Sequence, residues 1–265
     1  MTEALRPMSV GELLDRTFFL YRKHFVLFVA LIALPHAVLL AVQLFSVVLR
    51  AGGPRFSLTA ILMGLVTMVV YLAVVAVSQG ATVIAVSRMH LGAAPGISEA
   101  FAGISGRIPT LALIMIAAGL GAGLGLILLI VPGILLALMW SLSIPIAVLE
   151  HLNVRDAMSR SSVLTKGHRG RIFVIYVLFF IVTYIFYSLW QLPMLFAAGL
   201  FVGRGPATLP VWTQIALPVG QFITQCLVAP LLTIAMALVY YDERVRKEAF
   251  DLEHMMSELD RPTPA

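Results

Sequence analysis

Uncharged polar side chains interrupt several long apolar stretches, and hydrogen bonding is the chemistry they offer. They are one histidine and six glutamines: His36, Gln43, Gln79, Gln191, Gln214, Gln221 and Gln225. Because Gln214, Gln221 and Gln225 recur at spacings of seven and four, they share one face of a helix. Such a face can form a path for a neutral or zwitterionic solute, or hydrogen bonds between helices. The pattern favours bonds between helices, with His36 neutral and bonded to a carbonyl or a glutamine.

A basic segment, residues 150–171, is the only long polar stretch between two apolar blocks. Its hydrophobic and charged positions separate onto two faces of a helix, which is typical of a helix lying at a membrane surface. Each cation close to an anionic leaflet contributes about 1 kcal/mol to membrane binding. The candidate contacts to anionic lipid headgroups are Arg155, Arg160, Lys166, Arg169 and Arg171.

The composition requires lipid around most of this chain. Of its 265 residues, 60% are hydrophobic and only 12% are charged, and the mean hydropathy is +0.99. A soluble domain normally carries about a quarter charged residues. The apolar stretches lack the alternation of a membrane β-barrel. The net charge of +5 is explained by where the charges lie, so we expect no nucleic-acid partner.

The elements that must position these side chains are hydrophobic helices. A stretch of about 20 apolar residues crosses a bilayer. Six stretches qualify, at 25–49, 58–86, 109–131, 133–149, 172–201 and 210–240. Shorter amphipathic segments precede each pair, at 9–24, 97–108 and 153–166. We therefore predict an all-α integral membrane protein with six transmembrane helices in three hairpins, each preceded by a cytoplasmic amphipathic interfacial helix.

A threefold repeat fits this arrangement. Each amphipathic segment carries an acid two residues after its first apolar position: Val10 and Glu12, Ile97 and Glu99, Val154 and Asp156. The repeat-like units are 9–86, 97–149 and 153–240, within one membrane domain of residues 1–260. A helical tail, 241–260, follows, and we expect 261–265 to be a disordered end. The tail has a short heptad pattern, which predicts contact with a second copy or another membrane protein through 242–260.

Charge placement predicts the orientation. With six spans, 15 of the 18 lysines and arginines fall on the side that holds both termini. The positive-inside rule places that side in the cytoplasm, so we expect a multi-pass protein of the cell (inner) membrane. No carboxylate lies within the predicted spans, which argues against ion-coupled transport.

Glycines in the third span predict a close helix contact. Gly119, Gly121, Gly123 and Gly125 form two overlapping GxxxG spacings. Glycine at this spacing allows the backbone of a neighbouring helix to approach closely.

Three segments resemble a known family. They are SVGELLDRTFFLYRKHF, VPGILLALMWSLSIPIAVLEHLNVRDAMSRSSVLTKGHRGRIF and YYDERVRKEAFDL. They are similar to the membrane domain attached to some glycerophosphoryl diester phosphodiesterases and to its stand-alone relatives. The resemblance implies that phosphodiester chemistry belongs to a separate soluble barrel, which we expect this chain to lack.

Enzymatic chemistry has little support in the sequence. His168-Arg169-Gly170 resembles the start of that enzyme's motif, but no metal-binding carboxylates follow it. The histidine spacings match no zinc-ligand pattern, and Ser159, Ser161 and Ser162 share one short helix with no triad geometry. We expect no catalytic residue, no metal and no cofactor.

Two functional hypotheses remain. The first is a non-enzymatic protein that organises or regulates membrane components at the cytoplasmic leaflet. The alternative is a transporter or lipid-handling protein that passes a neutral or zwitterionic solute through a glutamine-lined interior. An interior cavity beside the glutamines favours the alternative, whereas close packing removes its basis.

Overall fold

The computed structural model describes residues 8–50, 58–93, 95–197, 199 and 211–248. This part of the chain forms ten helices and contains no strand. They are α1 (Val10–Lys23), α2 (Phe25–Arg50), α3 (Leu58–His90), α4 (Ile97–Ala102), α5 (Ile108–Leu128), α6 (Ile130–Met139), α7 (Ser143–Leu149), α8 (Val154–Leu164), α9 (Arg169–Ala197) and α10 (Val211–Glu248).

Six segments in these ranges are long and apolar enough to span a membrane. They are Phe25–Leu49, Ala60–His90, Ile108–Leu128, Ile130–Leu149, Arg169–Ala197 and Trp212–Glu248. The prediction of an all-α, multi-pass membrane protein is confirmed at this level. Large apolar side chains cover the outward faces of these helices, as expected where lipid is the solvent.

The three short helices begin where the sequence pattern indicates. Helices α1, α4 and α8 start at Val10, Ile97 and Val154. Ser9 and Glu12 form a reciprocal capping box at the start of α1. Asn153 Oδ1 accepts a hydrogen bond from the Asp156 amide, 3.0 Å away, at the start of α8. Helix α4 stops at Ala102, earlier than the predicted 108.

The fourth span is two helices rather than the single one expected for 133–149. Helix α6 ends at Met139 and α7 begins at Ser143. Ser161 of α8 satisfies backbone groups at this break. Its hydroxyl donates to the Met139 carbonyl at 2.8 Å and accepts from the Leu142 amide at 3.2 Å.

Glycines let α5 and α6 approach closely. The chain reverses at Leu129, whose backbone is extended, and Gly133 then lies against the α5 backbone. A Cβ added to Gly125 would lie 2.8 Å from the Gly133 Cα. Of the two GxxxG spacings, Gly121 with Gly125 therefore makes the close contact with the neighbouring helix, while Gly119 and Gly123 have open space around them.

Helix α10 is the central element. It packs against α1, α2, α3, α7, α8 and α9, and its residues from Ile234 to Glu243 are buried without interruption. Consecutive spans also lie side by side, in the pairs α2 with α3, α5 with α6, and α9 with α10.

Helix α10 continues beyond the predicted end of the sixth span. It runs unbroken to Glu248, so the first residues of the predicted tail belong to the bundle. Asp242 and Glu243, which come just after the sixth predicted span, are buried, at 2% and 0% exposure. The remainder of the tail and the expected disordered end lie outside the described residues.

Candidate functional site

A cavity of about 220 Å³ with both polar and apolar side chains in its lining lies among α2, α3, α9 and α10; we call it the polar cavity after its glutamines. Five of the seven candidate polar residues line it: His36, Gln43, Gln79, Gln221 and Gln225. Tyr71 and Thr183 on its border are exposed, so the cavity is reachable from outside the protein. At roughly 30 Å³ per water molecule in the liquid, this volume suits a small polar group rather than a drug-sized ligand.

The cavity lies deep in the bundle. Its α2 residues run from Ile32 to Gln43, well inside the span Phe25–Leu49. Thr183 is midway along the span Arg169–Ala197. Polar groups at this depth have little water available and need partners within the protein or its ligands.

The glutamine amides of the cavity have no hydrogen-bond partner among the residues that the structure describes. The side chains of Gln43, Gln79, Gln221 and Gln225 form no hydrogen bond with any described residue. Their amide atoms are also not sealed off, because none of them is among the fully buried unpaired atoms of the described ranges. An amide has both donor and acceptor atoms, so these lining residues can offer both to a group in the cavity.

His36 has a defined arrangement within this site. It is buried, and its Nδ1 lies 2.9 Å from the Ile32 carbonyl oxygen and 3.3 Å from the Ser78 hydroxyl. A carbonyl oxygen only accepts, so Nδ1 carries the proton and donates to it. In the neutral imidazole Nε2 is then an acceptor, and this atom has no partner among the described residues.

Charge is absent from the described lining of the cavity, which contains no Asp, Glu, Lys or Arg. Burying an unpaired ion costs several kcal/mol, so such a lining disfavours an ionised guest. The site therefore suits hydrogen bonding to an uncharged group.

Two candidate residues lie elsewhere, and several lining residues were not anticipated. Gln191 on α9 and Gln214 near the start of α10 do not line the cavity. Ser78, Thr224, Thr183 and Tyr71 do, and sequence reasoning missed them. Ser78 and Thr224 each directly precede a cavity glutamine, so polar pairs within apolar helices were the available signal.

A second polar site surrounds the end of α10. Asp242 accepts hydrogen bonds from Arg171, from Arg246 Nε at 2.8 Å and from the Met8 amide at 2.6 Å. Glu243 Oε2 lies 2.7 Å from His168 Nδ1. Arg171 also donates to the Met8 carbonyl at 2.9 Å. These contacts tie the segment before α1 and the start of α9 to α10.

The same network includes α8. Arg160 pairs with Glu150 at 3.2 Å and with Glu248, and Glu150 accepts a hydrogen bond from the Tyr240 hydroxyl at 3.0 Å. Burial alone would lower the pKa of Arg160, but the two neighbouring carboxylates outweigh it and raise that pKa. We call the carboxylates Glu150, Asp242, Glu243 and Glu248 with their basic partners the α10 ion-pair network.

The five basic candidates therefore differ in their surroundings. Arg160 and Arg171 pair with carboxylates of the chain, as above. Arg155 and Lys166 are exposed on and just after α8. Arg169 is half-buried, and its Nε has no hydrogen-bond partner in the described ranges.

The comparison with known proteins identifies the family. Residues 107–261 match the family described as the membrane domain of glycerophosphoryl diester phosphodiesterase. The match covers more than half of the chain. The chain belongs to this family. No curated protein and no solved structure matches it.

The family that matches is the membrane domain of these enzymes, so the match describes the helical bundle and says nothing about a catalytic domain. The resemblance to this family is confirmed, and the match begins at Arg107, the N-cap of α5. Two of the three segments that carried the resemblance lie within the matched residues, and the first, near the start of the chain, lies outside them. It includes the half of the cavity formed by α9 and α10, as well as most of the α10 ion-pair network. His168, in the enzyme-like tripeptide, contacts Glu243, and no cluster of three potential metal ligands occurs in the described residues.

Proposed function

We propose that this protein is a lipid-handling or transport protein that binds an uncharged or zwitterionic polar group in its glutamine-lined cavity. One observation carries the proposal: four cavity glutamines have no hydrogen-bond partner in the described chain, at a depth where water is scarce. Glutamines that served only to join helices would bond to each other or to backbone groups. A bound polar group would supply the hydrogen-bond partners that the described residues do not.

The proposal includes a topology. Six spans form three hairpins, each preceded by a helix lying in the cytoplasmic interface, with both termini in the cytoplasm of a cell (inner) membrane. The side-by-side packing of consecutive spans and the uneven distribution of Lys and Arg support it. In this orientation the α10 ion-pair network lies at the cytoplasmic end and the cavity lies in the membrane interior.

Lipid retention tests the cavity. Wild-type protein and the double variant Gln221→Leu/Gln225→Leu are purified from membranes of defined composition, and co-purifying lipids are quantified by mass spectrometry. We expect the variant to bind a neutral or zwitterionic lipid about tenfold more weakly, because two hydrogen bonds of roughly 0.6 kcal/mol or more are lost. Gln191→Leu is the matched control, since Gln191 lies outside the cavity. If Gln221→Leu/Gln225→Leu retained as much neutral or zwitterionic lipid as Gln191→Leu, the proposal would be contradicted.

A second role rests on α8. The exposed Arg155 and Lys166 support a non-enzymatic part in organising or regulating membrane components at the cytoplasmic leaflet, through contact with anionic headgroups. Replacing both with glutamine is expected to reduce retention of an anionic lipid while leaving neutral lipid retention unchanged. The same lipid analysis measures both, and loss of neutral lipid instead would contradict this division of roles.

A further inference from the structure

A second, apolar cavity of about 200 Å³ lies between α9 and α10. Its walls include Leu189 and Trp190 of α9 and Gly220, Ile223, Thr224 and Leu227 of α10. Leu189 and Ile223 are exposed, so this groove opens to the lipid. From Gly220 to Leu227 the helix rises about 10 Å, at 1.5 Å per residue.

The groove is formed by a specific contact between the two helices. The Trp190 indole lies directly over Gly220, where any side chain would collide with it. Its Nε1 donates to the Ala216 carbonyl at 3.2 Å, which fixes the ring in this position. The groove is therefore bounded by an ordered aromatic side chain.

Thr224 joins the groove to the polar cavity, because it lines both. The cavity residues Gln221 and Gln225 and the groove residues Ile223 and Leu227 lie on neighbouring faces of the same two turns of α10. The Thr224 hydroxyl makes no hydrogen bond to other described residues. A polar chamber and an apolar channel thus meet at one side chain.

We propose that the two cavities together bind one molecule of a neutral lipid whose headgroup carries free hydroxyls, with an acyl chain in the groove between α9 and α10. This inference rests on the proposed function and names its ligand class. The absence of charge from the described lining disfavours an ionised headgroup, and a zwitterion would bring two charges to the same site.

The hydrogen-bonding groups favour a hydroxyl. His36 Nε2 can only accept, so its partner must donate. The glutamine amides both donate and accept, as does a hydroxyl. Among lipids, a diacylglycerol or a glycolipid brings such groups without charge, and an uncharged headgroup can enter the membrane interior at far lower cost than an ion.

Photolabelling tests this assignment. Protein in nanodiscs is labelled with a diacylglycerol that carries a diazirine in the middle of one acyl chain, and the labelled residues are mapped by mass spectrometry. We expect labelling at Leu189, Ile223 and Leu227 above the level on the outward faces of α2 and α5. Excess unmodified diacylglycerol should compete, and phosphatidylcholine should not.

Two variants block the groove from opposite walls. Ile223→Trp and Leu189→Trp each fill the groove from an exposed position, where the surrounding lipid accommodates a larger ring. If one variant misfolds, the other still tests the groove. Either should lower labelling to the level of the outward faces. Ile215→Trp is the control, because Ile215 is equally exposed on α10 but lines neither cavity.

The outcomes separate this inference from the proposed function. Labelling that stays uniform around the bundle, or is unchanged by Ile223→Trp and Leu189→Trp, overturns the acyl groove. If labelling is uniform but Gln221→Leu/Gln225→Leu still loses a co-purifying lipid, the proposed function stands and this inference fails. If neither set of variants changes anything, both fail. Competition by phosphatidylcholine equal to that by diacylglycerol overturns the preference for an uncharged headgroup.

Discussion

Arg171 shows how one residue can be assigned to lipid by its pattern and to the protein interior by its contacts. It lies in a basic segment, yet its guanidinium reaches Asp242, lies 3.7 Å from Glu243 and bonds to the Met8 carbonyl. Asp242 and Glu243 are among the most buried residues described. A buried carboxylate requires a paired cation, because an unpaired buried charge costs several kcal/mol. Arg171 thereby links the ends of three helices.

Removing this cation should destabilise the bundle. We expect Arg171→Met to lower the free energy of unfolding by about 3–5 kcal/mol, since two buried carboxylates lose their shared partner. Thermal or SDS-induced unfolding in detergent measures the change. Arg155→Met, on the exposed face of α8, should shift stability by no more than about 0.5 kcal/mol. Similar losses in the two variants would contradict the assignment.

At the scale of elements, the packing of α5 on α6 shows which of the two GxxxG pairs in α5 makes the contact between these helices. Gly119 with Gly123 and Gly121 with Gly125 both satisfy GxxxG, but only the second pair faces α6 and its C-cap, Trp140. A Cβ on Gly121 would meet the Trp140 ring, and one on Gly133 would meet the Leu126 backbone. Side chains can move aside more readily than backbone, so Gly133 is the least replaceable of these glycines.

Alanine substitutions distinguish these positions. Gly133→Ala should destabilise the protein by about 1–3 kcal/mol, because the added methyl forces α5 and α6 apart. Gly123→Ala should be neutral, or stabilising by up to about 1 kcal/mol, because alanine favours a helix and nothing lies within 4 Å of the new atom. Unfolding in detergent compares the two. A destabilised Gly123→Ala protein with an unchanged Gly133→Ala protein would reverse the assignment of the contact.

At the scale of the whole molecule, the bundle separates its polar groups along the length of α10. The cavity among α2, α3, α9 and α10 is free of charge in its described lining, while the α10 ion-pair network lies around the C-terminal end of α10. Central α10 connects the two, with Gln221 and Gln225 at one level and Asp242 and Glu243 more than four turns away. This division places ionised groups where the proposed topology puts the cytoplasm.

Cysteine labelling tests that topology. Cys226, which is buried, is replaced by alanine, and single cysteines are introduced at Ser159, exposed on α8, and at Gly53, in the first predicted outward turn. An impermeant maleimide should label Gly53→Cys in intact cells. It should label Ser159→Cys only after the membrane is made permeable. Labelling of Ser159→Cys from outside would invert the proposed orientation.

The sequence alone determined the class of the protein, the number of spans and the starts of the short helices, because these depend on local properties. Hydrophobic length decides whether a helix can cross a bilayer, and a capping residue with an acid at the third position marks where a helix begins. Ser9, Asn153 and the apolar stretches carry this information without reference to the rest of the chain. The family resemblance was also visible in local segments, and those within residues 107–261 belong to the matched region.

Only the tertiary structure decided which polar residues meet. Gln43, Gln79 and Gln221 come from three helices, and their common cavity depends on helix rotation, which the spacing of polar residues in one helix does not specify. The break between α6 and α7 depends on Ser161, nearly twenty residues later in the chain. The burial of Asp242 and Glu243 depends on Arg171 and His168 from another helix and the loop before it. Contacts between distant segments set these outcomes, since a side chain's partner is fixed by packing and not by its sequence neighbours.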